Sequence, residues 1–294
     1  RTANDHERTR MKNWLILRVV ALCSLAAHAI DVVDDRGVTV SLPQPPQRIV
    51  SLLPSITETV CALGGCNRLV GVDRYSNWPA SVRALPQLGG GIDPNVEAVV
   101  AQKPDLVLLA KSSRVVERLE SLGLKVVVLE PKNHADMRRV LDKIGQVLGT
   151  GDAQRVWREI DASVSAAAQS LPASVKNTRV YYEVNSGPFA AGESSFMGET
   201  LTRLGAKNIV PAAMGPFPKI NPEFVVRANP DVIMVGERSA TGLEQRPGWG
   251  NMRAVREGRI CRFKAEDSDV LVRPGPRMGE AARLMANCLL SKAP

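Results

Sequence analysis

Four aromatic side chains occupy loop-like segments of a chain in which aromatic residues make up only 4%. They are Tyr75, Trp78, Phe189 and Phe217, and each stands beside Gly, Pro, Ser or Asn residues. Aromatic rings give apolar contact with little loss of side-chain entropy, so they suit the wall of a ligand pocket. The alternative is that Trp78 and Phe217 pack against their own loops, since single aromatic residues near a surface are common.

Two charged side chains, Asp269 and Arg273, stand in a Pro- and Gly-rich stretch that follows a predicted strand and would supply fixed polar contacts. The loops that hold Tyr75 and Phe189 also follow predicted strands. Ligands of α/β proteins gather at the carboxyl ends of the strands, and pockets favour the cleft between two domains. We therefore predict that these side chains converge on such a cleft.

An internal repeat predicts that the cleft has two equivalent sides. The block 58–64 recurs as 199–205, and the longer block 97–109 recurs in the same order as 223–235. The spacing from the leading Glu to a Pro-Asp pair is identical in the two longer blocks.

The leading residues of the longer blocks are Glu97 and Glu223, each in the first turn of a short predicted helix. The helix dipole favours a carboxylate there, so both residues suit the stabilisation of a helix start. Two equivalent lobes with one acidic side chain each would also suit a partner that has two equivalent basic sockets. The residues alone leave both interpretations open.

No motif of an enzyme or of a metal site is complete in this sequence. The run Gly89–Gly91 lacks the Gly-Lys-Ser/Thr of a phosphate loop, and 192–196 is not a G-x-S-x-G elbow. After residue 29 the sole histidine is His134, and neither C-x-x-C nor H-E-x-x-H occurs. We expect no catalytic residue, metal or cofactor; an enzyme on an α/β scaffold and a scaffold or adhesion protein are the alternatives from other classes.

Short apolar runs alternate with helical stretches, which predicts an α/β fold. The predicted strands are Arg48–Leu53, Leu69–Val72, Leu106–Ala110, Lys125–Leu129, Arg179–Val184, Val232–Val235 and Arg259–Phe263. Residues 152–171 instead show apolar positions at intervals of three and four, which predicts one long amphipathic helix. We predict a Rossmann-like N-terminal lobe over residues 30–150, a connector helix over 151–172 and a Rossmann-like C-terminal lobe over 173–294.

Residues 1–29 have the pattern of upstream residues followed by a secretory signal peptide. Lys12 and Arg18 flank an apolar run that ends in Ala27-His28-Ala29, a cleavage pattern of small residues. The run is short for a membrane anchor, which is the alternative. We therefore expect export to the periplasm. The net charge is +8, but the charged residues are scattered and form no basic run, so nucleic-acid binding has little support.

Four cysteines follow the predicted leader: Cys61, Cys66, Cys261 and Cys288. An even number in an exported chain permits disulfides, and the positions suit a Cys61–Cys66 pair and a Cys261–Cys288 pair. Buried free thiols are the alternative for each pair.

The segment Arg48–Glu58, which reads RIVSLLPSITE, resembles the opening of periplasmic binding proteins for vitamin B12, haem and ferric siderophores. The resemblance extends over essentially the whole chain after the leader, through Tyr75–Pro79, Pro94–Leu109, Gly187–Gly192, Pro216–Val235 and Asp269–Arg277. It implies two lobes joined by one long helix, a monomer that moves little, and delivery of a bound ligand to a membrane ABC permease dimer.

Among these proteins, the vitamin B12-binding members are the most similar, which implies a cobalamin-like corrinoid as ligand and a ferric siderophore or haem as alternatives. The resemblance implies that the ligand cleft is lined by Tyr75, Trp78, Phe189, Phe217, Asp269 and Arg273. It also implies that Glu97 and Glu223, one on each lobe, engage arginines of the permease dimer.

The sequence departs from the vitamin B12-binding pattern at several positions. A Trp before the first acidic helix has no counterpart in Gly89–Pro94, and an aromatic pair is replaced by Val270-Leu271. The disulfide partner of the cysteine in the last helix would fall on Leu204, so Cys288 must pair elsewhere or stay free. Haem-binding members have a Tyr ligand at the position of Gly90, so the usual haem ligand is missing here.

Overall fold

A computed structural model describes residues 29–294. The predicted signal peptide lies outside the described residues except for Ala29. The described chain begins with a hairpin in which β1 (Ile30–Val33) pairs antiparallel with β2 (Thr39–Leu42). Two larger sheets with helices packed against them follow, so the predicted α/β class is confirmed.

The first large sheet has four parallel strands in the order β4-β3-β5-β6. These strands are β3 (Ile49–Ser51), β4 (Leu69–Val72), β5 (Leu106–Leu109) and β6 (Val126–Val128). Every residue of β3, β5 and β6 is buried, as expected for strands that helices cover on both faces. All four strands predicted for the N-terminal lobe are confirmed.

The second large sheet lies wholly in the C-terminal half, and its main path runs β11-β10-β7-β8. Its strands are β7 (Arg179–Asn185), β8 (Phe189–Ala190), β9 (Lys207–Asn208), β10 (Val232–Gly236) and β11 (Ile260–Phe263). The three predicted strands β7, β10 and β11 are parallel, β8 is antiparallel to β7, and β9 pairs with β7 off the main path. The sequence did not predict β8, β9 or the opening hairpin, because two-residue pairings have no periodicity and the hairpin adjoins the leader.

The helices between and after these strands complete both layers. They are α1 (Pro54–Ala62), α2 (Val96–Ala101), α3 (Val116–Ser121), α4 (His134–Leu148), α5 (Ala153–Gln169), α6 (Phe196–Arg203), α7 (Pro222–Ala228), α8 (Arg253–Arg256), α9 (Ala265–Leu271) and α10 (Met278–Lys292). The predicted long helix is α5, and its apolar stripe is buried at Val156, Ile160 and Val164. Helix α5 packs against α4, which precedes it in the chain, and against α6 and α10, which follow it.

The repeat in the sequence corresponds to a repeat in the structure. Helices α1 and α6 occupy the same part of the block, and each is followed by a glycine with positive φ, 81° at Gly64 and 83° at Gly205. The Asp of each Pro-Asp pair accepts a backbone N–H at the entry of a neighbouring strand. Asp105 accepts from Arg48 N and Asp231 accepts from Arg179 N, both at 2.9 Å.

Both cysteine pairs form disulfides. Cys61–Cys66 joins the end of α1 to the next turn, and Cys261–Cys288 joins β11 to α10. Leu204, where the family pattern would place a cysteine, is instead a buried core residue. In this chain β11 thus supplies the partner of the cysteine in the last helix.

His134 lies at a direct contact between the two halves of the chain. Its Nε2 atom is 3.1 Å from the carbonyl oxygen of Phe196 and 2.9 Å from Oγ1 of Thr200, both on α6. Its backbone N–H donates to Oε2 of Glu199 at 2.6 Å. Burial lowers the pKa of His134; Arg203 also lowers it, and Glu199 and Asp161 oppose the shift.

This buried histidine predicts a loss of stability in acid. The pKa of His134 is below its ordinary value of 6.5 in the folded chain, so the unfolded chain binds more protons at this residue. Its contribution is complete above pH 6.5 and is lost as the pH falls through the lowered folded pKa. In urea unfolding between about pH 7 and about pH 5, the free energy of unfolding should therefore fall more for the wild type than for His134→Gln. Equal slopes for the two proteins would contradict this assignment.

Candidate ligand-binding cleft

A cavity of about 640 Å³ lies between the two halves of the chain, where strands of both sheets end. Its N-terminal wall follows β4 and consists of Arg74, Tyr75, Asn77 and Arg83. Its C-terminal wall lies at the carboxyl ends of β7, β10 and β11 and in the segments after β10 and β11. It consists of Val184, Gly236, Glu237, Arg238, Ser239, Phe263, Ala265, Glu266, Ser268, Asp269, Val272 and Arg273. The volume is within the range of small-molecule sites, and the position is the one expected for an α/β protein.

The segment after β4 forms a fixed turn at the mouth of this cavity. Asp73 is fully buried and accepts from Tyr75 N at 2.8 Å and from Ser76 Oγ at 2.6 Å. Burial raises the pKa of Asp73 because a carboxylate loses hydration there, although the bonds from Ser76 and Tyr75 oppose the shift. The turn leaves Tyr75 60% exposed, so its side chain is available to a ligand.

Arg273 lines the cavity, but the terminal nitrogens of its guanidinium bind the protein itself. Nη1 donates to Glu58 Oε1 at 2.9 Å and to Asn77 Oδ1 at 2.7 Å. Nη2 donates to the carbonyl oxygen of Tyr75 at 3.0 Å and lies 2.9 Å from Asp269 Oδ2. Arg273 is thus held in a fixed position in the wall by these contacts, and only 7% of its side chain is exposed.

Trp78 lines a second cavity next to the main one. Its ring stacks under the guanidinium of Arg277, with 4.9 Å from Cζ to the ring centroid. Together with Glu58, Cys61 and Pro79 it lines a neighbouring cavity of about 220 Å³. Attraction between a cation and an aromatic face explains this orientation, and it places Trp78 beside the main cavity rather than in its wall.

Phe189 and Phe217 line neither of these two cavities. Phe217 packs against Phe196, with 5.9 Å between ring centroids, and contacts the hydrophobic core. Phe189 is 38% exposed in β8 and forms an isolated antiparallel β-bridge with Lys219. Phe217 therefore packs against the start of α6 rather than against its own loop.

The main cavity also contains charged side chains that the sequence analysis did not single out. The set comprises five residues: Arg74, Arg83, Glu237, Arg238 and Glu266. None of these five makes an ion pair within residues 29–294, so their charges are available to a ligand. Glu237 and Arg238 directly follow β10, so their position after a predicted strand was the signal that would have found them.

The glycine run at 89–91 packs closely against its surroundings. A Cβ atom on Gly90 would lie 2.9 Å from Asp93 Oδ1, and one on Gly91 would lie 2.7 Å from the carbonyl oxygen of Leu52. A larger side chain at Gly90 would displace its neighbours. Within the described part of the chain, no cluster of three or more His, Cys, Asp or Glu residues is arranged to hold a metal ion.

Glu97 and Glu223 are both exposed on short helices that begin in the same way. Asn95 caps α2 by accepting from Ala98 N, and Asn221 caps α7 by accepting from Glu223 N. Pro222 is the first residue of α7, whereas Pro94 precedes the cap of α2 and lies outside the helix. The carboxylate of Glu223 has only a loose ion pair with Arg227, at 3.8 Å, and both side chains are more than two-thirds exposed.

Comparison with known proteins relates this arrangement to a family. The sequence profile of a family described as periplasmic binding protein matches residues 49–266. The chain is 28% identical to an uncharacterized ABC transporter substrate-binding lipoprotein of Bacillus subtilis, over 87% of this chain and 84% of that protein. It is 29% identical to a cobalamin-binding protein of Halobacterium salinarum, over 86% of this chain and 72% of that protein.

A solved structure agrees with these sequence matches. The fold is similar to that of a periplasmic haem-binding protein from Pseudomonas aeruginosa, with a TM-score of 0.68 and 28% identity. The alignment covers 85% of this chain and 94% of the other. Among residues 29–294, no helix combines the length and apolar character needed to cross a membrane.

The different surroundings of two aromatic residues predict different effects on stability. Phe217→Ala should lower the free energy of unfolding by about 2 kcal/mol, because Phe217 packs against Phe196 and the core. Tyr75→Ala should change it by less than about 0.5 kcal/mol, because the Tyr75 ring is mostly exposed. Urea unfolding of both variants beside the wild type checks this, and a larger loss for Tyr75→Ala would contradict the placement of the two rings.

Proposed function

The chain belongs to the periplasmic binding protein family, and from that premise we propose that it captures a cobalamin-like corrinoid and delivers it to an ABC importer. The observation that carries the proposal is the 640 Å³ cavity between the two halves of the chain, with walls from both sheets. The similarity to a protein named cobalamin-binding supports the choice of ligand.

The wall of the cavity suits the chemistry of a corrinoid. A cobalamin has a large, mostly apolar ring face, carboxamides around its edge and one phosphodiester. Tyr75 and Val272 offer apolar contact, and both are exposed. Glu237 and Glu266 can accept hydrogen bonds from carboxamides, and Arg74 can donate to the phosphodiester.

The proposed role is binding without covalent chemistry. Proteins of this family bind solutes. His134 is buried at the contact with α6 and is not among the residues that line the cavity. The polar groups of the wall are arginines, carboxylates, two serines and an amide, which suit recognition of a ligand.

Delivery is proposed to use Glu97 and Glu223. Both carboxylates are exposed, and they stand at equivalent positions of a repeated helix in the two lobes. This pair fits a membrane permease dimer that offers one basic socket to each lobe. The proposal places the mature protein in the periplasm as a monomer, exported by the signal peptide predicted at residues 1–29.

A ferric siderophore is the second candidate ligand. The observation that favours it is the set of three guanidiniums without a carboxylate partner among the described residues, those of Arg74, Arg83 and Arg238, since many ferric siderophores are anionic. A haem ligand has less support, because Gly90 stands at the position of the usual Tyr ligand.

The test of the ligand is calorimetric titration of residues 30–294 with cyanocobalamin, with haemin and a ferric siderophore in parallel. We expect one-to-one binding of cyanocobalamin with Kd below about 1 µM, and a Kd about tenfold higher for Tyr75→Ala. Absence of heat with cyanocobalamin would discard the corrinoid, and binding of the ferric siderophore instead would establish the second candidate.

The test of docking is the double charge reversal Glu97→Lys with Glu223→Lys. We expect transport through the partner importer to fall at least about tenfold, with cyanocobalamin affinity within about twofold of wild type. The control is Glu117→Lys with Glu159→Lys, which changes the net charge equally at two other exposed helix positions. Unchanged transport in the first variant, or an equal loss in the control, would remove the docking role.

A further inference from the structure

The carboxylate of Glu58 is buried between the two lobes and is bound by two arginines of the opposite lobe. Its side chain is 2% exposed, and it lies on α1 of the N-terminal lobe. Arg277 donates from Nε to Oε2 at 2.9 Å and from Nη2 to Oε1 at 2.7 Å. Arg273 donates from Nη1 to Oε1 at 2.9 Å. Glu58 thus receives three charge-assisted hydrogen bonds from the C-terminal lobe.

The same two arginines hold residues 75–78, which we call the rim segment. Arg273 donates to the carbonyl oxygen of Tyr75 and to Oδ1 of Asn77, at 3.0 Å and 2.7 Å. Arg277 stacks on the ring of Trp78. The rim segment and Glu58 both belong to the N-terminal lobe. Each arginine belongs to the C-terminal lobe and contacts both of them.

A further hydrogen bond closes this network at the cavity. Asn77 Nδ2 donates to Oδ2 of Asp269 at 2.8 Å, and the same carboxylate oxygen lies 2.9 Å from Nη2 of Arg273. The arginines flank Pro274-Gly275-Pro276, and a Cβ on Gly275 would lie 3.6 Å from the carbonyl oxygen of Ser55. The loop that holds the arginines therefore packs directly against the start of α1.

Physical chemistry makes such a network hard to open. A buried charge that loses its partner is strongly unfavourable, whereas exposed ion pairs contribute little. Movement of the rim segment away from the C-terminal lobe would break the bonds from Arg273 to Tyr75 and Asn77. Movement of the whole lobe would leave Glu58 without its counter-charges.

The repeat provides a second instance of the same arrangement. Glu58 and Glu199 occupy the same position of the repeated blocks 58–64 and 199–205. Glu199 lies on α6 and also reaches the other lobe, where Oε2 accepts the backbone N–H of His134. Equivalent glutamates, one in each lobe, thus accept hydrogen bonds from the opposite lobe. Only Glu58 does so at the rim segment.

We infer that Glu58 is a positioning residue of the ligand cleft, which holds the rim segment in its binding conformation before a ligand arrives. The inference rests on the proposed function only for the identity of the ligand. The effect of Glu58 on the rim segment does not depend on that identity. Glu58 acts through Arg273 and Arg277 and lines the neighbouring cavity rather than the main one. A preformed wall raises affinity because the ligand does not have to order it.

The test compares Glu58→Gln with Glu183→Gln, a matched control. The Glu183 side chain is completely buried and is bound by both terminal nitrogens of Arg246, at 2.6 Å and 2.9 Å, within the C-terminal lobe. Both substitutions remove the charge of a buried carboxylate that is paired with arginine. Only Glu58 is connected to the rim segment.

The first measurement is amide hydrogen exchange of a peptide that spans residues 73–80, in ligand-free protein. We expect exchange at least about tenfold faster in Glu58→Gln than in wild type, and no such change in Glu183→Gln. If Glu58→Gln does not fold, Arg277→Gln replaces it, because that arginine is partly exposed and its loss leaves Arg273 in place. Unchanged exchange at the rim segment, or an equal rise in the control, would overturn the inference.

The second measurement is cyanocobalamin affinity by calorimetry. If one molecule in about ten of Glu58→Gln keeps the binding conformation, Kd rises about tenfold, while Glu183→Gln stays within about twofold. An equal Kd for Glu58→Gln and wild type would also overturn the inference. If wild type itself does not bind cyanocobalamin, the proposed ligand fails, and the exchange measurement alone decides the role of Glu58.

Discussion

The buried carboxylate of Glu58 is the constraint on which the arrangement of the cleft depends. A carboxylate without water must find its counter-charges in the protein, and here both come from the opposite lobe. That requirement fixes the approach of the loop after α9 to the start of α1. It thereby also fixes the wall of the cavity, because Arg273 and Arg277 bind the rim segment with their remaining surfaces.

The repeated architecture extends this constraint over the molecule. The two sheets end toward a common cleft, and α5 packs against helices of both halves. Glu58 and Glu199 turn inward from equivalent helices and join the lobes, whereas Glu97 and Glu223 turn outward from equivalent helices and are exposed. One structural unit, used twice, thus provides an inner pair of carboxylates that joins the lobes and an outer pair that is exposed, the pair that we propose for docking.

The sequence predicted the sheets and the long helix well, because their signals are local. Continuous Val, Ile and Leu runs mark strands that helices cover, and the three- and four-residue spacing in α5 marks its buried stripe. The surroundings of individual side chains were harder to predict from the sequence, because they depend on residues far away in the chain. Arg273 lies 215 residues from Glu58 in the chain, and no periodicity in the sequence indicates that these two residues form a pair. For the same reason the sequence did not predict the contact of Phe217 with Phe196 or that of Trp78 with Arg277.

The most direct measurement is a crystal structure of residues 30–294 with cyanocobalamin. We expect the corrinoid between the ring of Tyr75 and residues 237–239, with Glu58 still bound to Arg273 and Arg277. A corrinoid bound outside this cavity, or an Arg273 that leaves Glu58 to bind the ligand, would contradict it.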